Sequence, residues 1–312
     1  LGPEFTLVGA DLSGATITGI SLAGVQGQLS DTAGLTLPSG FVVANNYIIG
    51  AQVNVANLDL SNTDLSAAVL TGLRGQLSVS TNITLPSGYV LGNNYIIGPD
   101  VVLDDADLSN VDLSTANLAG VKASLSASTG LILPPDYSVI TTPFQDYIVG
   151  PYVDLNNASF AGADLSGAVL TGVKGKLASS NDIILPSGYS MVNGYIAGPD
   201  VNLVGANWVA ENLTGVNLDG ANLSDAQLLL VRGQLASSMG VILSPGYIIA
   251  NNYIVWPNVD LAGADLTNSH FTGAAFNNVD LTETLLNGVT GQLASAVGII
   301  VPPGYRNANN SI

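Results

Sequence analysis

Carboxylates and carboxamides recur in this sequence one place ahead of an apolar residue, in phase with a five-residue repeat: Asp11, Asp59, Asp64, Asp107, Asp112, Asp164, Asp265 and Asp280. Asn202, Asn207, Asn212, Asn217 and Asn222 take over that place in the fifth of six blocks. Stacked carboxylates are material for a Ca²⁺ site, which takes about six to eight oxygens. Asp100, Asp104, Asp105 and Asp107 form the densest group. No EF-hand or Gly-Asp nonapeptide loop accompanies them, and Asp and Asn also hydrogen-bond nearby turn backbone. Turn support is therefore the expected role, and no metal is expected.

The only histidine, His270, occupies the same water-facing place. A Ser-His-Asp or Cys-His set needs an imidazole oriented by a carboxylate beside an activated nucleophile, and the chain has no cysteine. A carboxyl general acid needs burial to raise its pKa, which the outward places of the repeat do not offer. The chain is read as a non-enzyme, with no catalytic residue and no cofactor. Lack of cysteine also excludes disulfides and thiolate zinc sites.

Six basic residues face 23 acidic ones, a net charge of −17 that repels nucleic acid phosphates and argues against direct DNA or RNA binding. Four of the cations share one place, just after the last apolar residue of a block: Arg74, Lys122, Lys174 and Arg232, with Lys176 two residues beyond Lys174. They are the candidate partner-contact column; local ion pairs or packed aliphatic stems are the alternative. A second series is aromatic, with Phe41, Tyr89, Tyr137, Tyr189, Tyr247 and Tyr305 followed by Tyr47, Tyr95, Tyr147, Tyr195 and Tyr253. These rings are expected to pack segments together, with sugar stacking or protein docking as the other reading.

The elements that position these side chains follow from two nested periods. Apolar centres recur every five residues in blocks spanning 7–22, 55–70, 103–118, 155–170, 203–228 and 261–286; the first four blocks hold four pentads and the last two hold six. A period of five fits neither a helix nor an alternating strand. Inserts near 27 residues separate the blocks. They open on Gly-Gln-Leu, as at Gly75-Gln76-Leu77, and continue through Leu85-Pro86-Ser87-Gly88-Tyr89 to Asn93-Asn94-Tyr95-Ile96-Ile97-Gly98. Asn93-Asn94 suits a tight turn between two short strands, so each insert is either a decorated coil or a protruding hairpin. In the third insert Gln145-Asp146 aligns with the Asn-Asn pair. Repetition at fixed period signals stacked units that share one core. The expected core centres are Leu12, Leu60, Leu65, Leu108, Leu113, Leu165, Trp208, Leu213, Leu266, Phe271 and Phe276, each contributing on the order of 2 kcal/mol. With 47% hydrophobic residues and no apolar run near the roughly 20 residues of a membrane span, that apolar material belongs inside the stack.

Ala10-Asp11-Leu12-Ser13-Gly14, Ala106-Asp107-Leu108-Ser109-Asn110 and Ala163-Asp164-Leu165-Ser166-Gly167 resemble the A-(D/N)-L-x-x unit of the pentapeptide-repeat family. The resemblance implies an all-β fold: a right-handed quadrilateral β-helix solenoid in which four pentads make one coil, here with one β-rich insert per module. Six modules are expected, approximately 6–52, 53–100, 101–152, 153–200, 201–258 and 259–312, after a residue 1–5 stretch that reads as a cloning scar. The tail 305–312 aligns with 247–254, as in a fragment of a longer array. The ten residues added to the fifth block amount to half a coil, so the insert after Leu228 is expected opposite the insert after Leu170.

For function, the sequence supports a non-enzymatic structural, display or protein-interaction scaffold, with a protein partner or end-to-end self-stacking and no small-molecule substrate evident. The compartment leans to secreted or cell surface. An acidic DNA mimic acting on a DNA-binding protein such as DNA gyrase is the alternative that the resemblance adds. Glycan or ice binding along a flat face is weaker, because Thr6, Thr16, Thr18, Thr63 and Thr71 are irregularly spaced.

Overall fold

The computed structural model describes residues 5–306; residues 1–4 of the scar-like stretch and 307–312 of the tail lie outside the described residues. The chain divides into two compact units, Leu1–Leu155 and Asn156–Ile312. Both are all-β, and no helix occurs among the described residues.

The pentad has a simple physical content, a four-residue turn plus one bridging residue. In the first unit Leu7 C=O accepts the Ala10 N–H at 3.0 Å, and Leu12 C=O that of Ala15 at 3.1 Å. The third residue of most of these turns is left-handed, with φ of 70° at Gly9 and 63° at Asn57. A type II turn requires that, which is why Gly or Asn closes most pentads. The residue left over pairs in parallel with the one 20 places later: Asp11 with Asp31, Thr16 with Thr36, Asp59 with Val79 and Asp64 with Thr84. The second unit repeats this at Ser159 with Ser179, Asn207 with Gln227 and Asp265 with Leu285.

Centre residues point inward. Leu60, Leu65, Leu108 and Leu113 in the first unit, and Leu165, Trp208, Leu213, Leu266, Phe271 and Phe276 in the second, are all 0 to 2% exposed. Leu12 differs, being half-buried.

The inserts begin as ordinary pentads and end as hairpins. In the first, Asp31 and Thr36 keep the twenty-residue register; then β1 (Val42–Ala44) pairs antiparallel with β2 (Tyr47–Ile49). The second insert does the same with β3 (Val90–Gly92) and β4 (Tyr95–Ile97). In the third module β5 (Val102–Asp107), β6 (Lys122–Ala127), β7 (Ser138–Thr141) and β8 (Asp146–Val149) form one sheet in the order β5-β6-β8-β7. Its hairpin pairs Thr141 with Asp146, so the loop is 142–145 and Asp146 is a strand residue. That corrects the alignment of Gln145-Asp146 with the Asn-Asn turns.

The second unit carries hairpins β9 (Ser190–Val192) with β10 (Tyr195–Ala197) and β13 (Ile248–Ala250) with β14 (Tyr253–Val255). Between them, β11 (Asn222–Leu223) pairs in parallel with β12 (Ile242–Leu243). After the β9-β10 hairpin, Asn202 N–H donates to Val173 O; after the β13-β14 hairpin, Asp260 N–H donates to Val231 O. Asn202 pairs with Asn222, whereas Arg232 pairs with Asn212, two pentads away. The two inserts thus enter the register half a twenty-residue turn apart, as the ten extra residues demand.

Candidate interaction surface

Each Asn-led hairpin is stitched to the pentads on both sides of it in sequence. Its turn residues are left-handed, Asn93 at φ 47° and Asn94 at 63°, the geometry of a two-residue type I′ turn. On one side Gln76 Nε2 donates to Asn93 O at 2.9 Å, Leu77 N–H to Asn94 O at 2.9 Å and Ser80 Oγ to Asn94 Oδ1 at 2.6 Å. On the other, Asn93 Nδ2 donates to both Asp107 O and Ser109 O at 3.1 Å. Gln28 and Asn45 repeat the pattern in the first insert, and Gln234 and Asn251 in the fifth. In the fourth insert Lys176 stands where the first, second and fifth carry glutamine; its Nζ donates to Asn193 Oδ1 at 3.3 Å and lies 5.7 Å from the centre of the Tyr195 ring.

The aspartate series serves the turns. Asp11, Asp64, Asp107, Asp112 and Asp164 each accept the backbone N–H two residues on, at 2.8 to 2.9 Å. Asn202, Asn207, Asn212, Asn217 and Asn222 accept the equivalent bond. Hydroxyl and backbone donors at that second residue hold the carboxyls of Asp59, Asp64, Asp112 and Asp164 below the ordinary aspartate value; at Asp107 the backbone donor leads. A depressed carboxyl stabilises the fold fully above its unfolded pKa and loses that contribution as pH falls through the folded value. Wild-type protein is therefore expected to lose denaturation midpoint between pH 5 and pH 2 in urea titrations at about 0.5 M salt, where general charge repulsion is screened. A variant with Asp59, Asp64, Asp107 and Asp112 changed to Asn is expected to lose less. Equal losses would show that these bonds are not what acid breaks.

The other acidic residues of the dense group are placed differently. Asp100 occupies a left-handed turn place at φ 56°, and Asp105 is left-handed at φ 54° within β5, where the register shifts between Leu103 and Ala106. Asp105 N–H donates to Ser124 Oγ at 3.3 Å. Among the described residues no group of three or more His, Cys, Asp or Glu side chains is arranged to hold a metal. His270 Nδ1 lies 3.0 Å from Thr290 Oγ1, the residue it bridges.

Of the four cations, the first unit brings Arg74 and Lys122 into one column. Arg74 bridges Asn54 and Val102, and Val102 pairs with Lys122. The second unit sets Lys174 and Arg232 half a turn apart, following the register change at the fifth block. Lys122 and Lys174 are half-buried, and Arg74 and Arg232 are exposed.

The aromatic series packs against glycine. A Cβ on Gly98 would lie 2.3 Å from Tyr89 Cδ1, and one on Gly150 2.4 Å from Tyr137 Cδ1. The Tyr89 hydroxyl donates to Pro99 O at 3.0 Å and that of Tyr137 to Pro151 O at 2.9 Å. Burial raises the pKa of both phenols, with Asp100 adding to it at Tyr89 and Tyr152 at Tyr137. In the fifth insert Trp256 takes the glycine place. It is half-buried, and Tyr247 stacks on it with centroids 4.3 Å apart.

A family model for pentapeptide repeats matches eight copies, over residues 152–174, 200–228 and 258–289. Those three segments are pentapeptide repeats. Among curated proteins, none matches it. Among solved structures it is similar to HetL, a pentapeptide repeat protein involved in heterocyst differentiation regulation from the cyanobacterium Nostoc sp. strain PCC 7120. Identity is 18% over 96% of this chain and 85% of that one, with a TM-score of 0.13. A score that low transfers no position from HetL. The sequence marks Gln76 as part of a recurring Gly-Gln-Leu and Asn93 as a turn residue, but the bonds by which they stitch the insert to its neighbours show only in the fold. Sequence reading passes over Ser80 and Ser238, which carry no recognisable signal before the fold is known.

Proposed function

We propose that this chain is a pentapeptide-repeat protein that serves as a non-enzymatic scaffold. In this reading it is a right-handed four-sided β-helix with one β-rich insert per module, and it presents its faces to protein partners or stacks end to end. The supporting observation is where the polar side chains go. The turn aspartates bind backbone N–H groups, and the insert amides bind neighbouring carbonyls. That leaves architecture, rather than a convergent reactive group, as their use. Light scattering after size exclusion, with electron microscopy of the largest species, tests the stacking arm. Concentration-dependent end-to-end dimers or filaments support it, and a monomer at every concentration removes it and leaves binding along the faces.

A second reading is favoured by the exposed aspartates, which the turn donors keep ionised: an acidic mimic of duplex DNA. Inhibition of DNA gyrase supercoiling by the protein at micromolar concentration would support it, and unchanged supercoiling would exclude gyrase as the target.

A further inference from the structure

One corner of the Asn156–Ile312 unit departs from the rule followed by most turns. The left-handed place, usually Gly, Asn or Asp, is held there by Ala210 at φ 61° and Leu230 at φ 58°. A residue with a Cβ is strained in that conformation. The two turns are stacked, since Ala210 N–H donates to Leu229 O at 2.8 Å. Val209, Leu229 and Leu230 are 38, 44 and 49% exposed. Strain and exposed apolar surface therefore coincide where most other turns carry small or polar residues.

Arg232 follows two residues later. It bridges Asn212, and its backbone N–H donates to Glu211 O at 3.1 Å. Among the described residues its guanidinium has no ion-pair or hydrogen-bond partner, whereas Arg74 and Lys174 are both engaged. A cleft of about 400 Å³ opens beside it, lined also by Asn212, Thr214, Gln234, Tyr253 and Asp260. Asn212 Oδ1 is taken by Thr214, and Gln234 Nε2 by Asn251 O. Asp260 Oδ1 accepts the Ala262 N–H at 3.1 Å. The guanidinium is thus the strong donor left over, with the Asp260 carboxylate across the cleft as an acceptor.

The geometry points to a docking site for an extended segment of a partner protein that carries an acidic side chain next to an apolar one. Its carboxylate takes the Arg232 fork, the pairing guanidinium geometry favours. Its apolar side chain covers Leu229 and Leu230, and a backbone N–H reaches Asp260. This deepens the scaffold reading and rests on it.

The test is selection of a random peptide library displayed on phage against the whole chain, followed by titration of the enriched synthetic peptides. Peptides pairing Asp or Glu with a neighbouring Leu, Ile, Val or Phe are expected, with affinity falling at least tenfold in R232Q. Leu230→Asn is expected to weaken the same peptides while raising the thermal midpoint, a combination that a purely structural leucine would not give. Enriched peptides indifferent to R232Q would overturn this site and leave the scaffold reading standing. Absence of any enrichment would count against both.

Discussion

Truncating Trp208 to alanine is expected to lower unfolding free energy by about 3–5 kcal/mol, the range for removing a buried large aromatic. Its side chain is a pentad centre with 0% exposure. Ala206, two residues before it and 1% exposed, is the small partner that makes room for the indole. The Trp208 backbone N–H donates to Gln227 O at 2.9 Å, so the residue is held in the parallel ladder as well as in the core. Trp208→Phe is expected to behave differently. The indole Nε1 is buried without a hydrogen-bond partner, and leaving such a donor unpaired costs about 1–3 kcal/mol. Phenylalanine removes that donor while giving up part of the volume, so the two effects oppose and a net cost below about 1.5 kcal/mol is expected. Urea titrations followed by far-ultraviolet circular dichroism compare the two. If Trp208→Phe costs as much as Trp208→Ala, packing volume alone sets the stability at this centre and the unpaired N–H carries no penalty.

How far such a core could be read in advance depended on periodicity. Leu60, Phe160 and Phe276 announce themselves because each stands at a fixed phase of a five-residue cycle, and residues at that phase are mostly buried, Leu12 being the half-buried exception. The reason for the fifth residue was less legible. Gly9 and Asn57 look like ordinary loop formers until the turn from Leu7 to Ala10 shows that they must hold positive φ. The inserts were half legible. Asn93-Asn94 signals a turn, but the bonds from Asn93 to Asp107 O and Ser109 O join residues 14 and 16 apart, and no short-range pattern encodes them. The cation column illustrates the converse. Arg74, Lys122, Lys174 and Arg232 share a module position, yet column membership depends on residues counted modulo 20. The ten extra residues of the fifth block separate Lys174 from Arg232.

The tyrosine-glycine pair of each typical insert is the other point of high leverage, and Gly198→Ala is expected to cost about 2–4 kcal/mol, from overpacking plus a lost hydrogen bond. A Cβ there would lie 2.0 Å from Tyr189 Cδ1, a separation no side chain tolerates, so the ring must leave. Leaving breaks the bond from the Tyr189 hydroxyl to Pro199 O at 3.1 Å and exposes a half-buried ring. Gly198 is not among the positive-φ glycines, so backbone strain does not complicate the reading. The fifth insert shows what a compensated change requires. Trp256 fills the glycine place there because Tyr247 lies flat against it and Gly246 admits the indole edge, where a Cβ would sit 2.1 Å from Cζ3. A single methyl at Gly198 brings no such rearrangement with it. Tyr189→Ala in the Gly198→Ala background removes the clashing ring, so the two changes should be non-additive by at least about 1 kcal/mol, as expected for residues in direct contact. Strict additivity in the double-mutant cycle would mean that the ring and the glycine do not meet in solution, and that the aromatic series stabilises the inserts by some other contact.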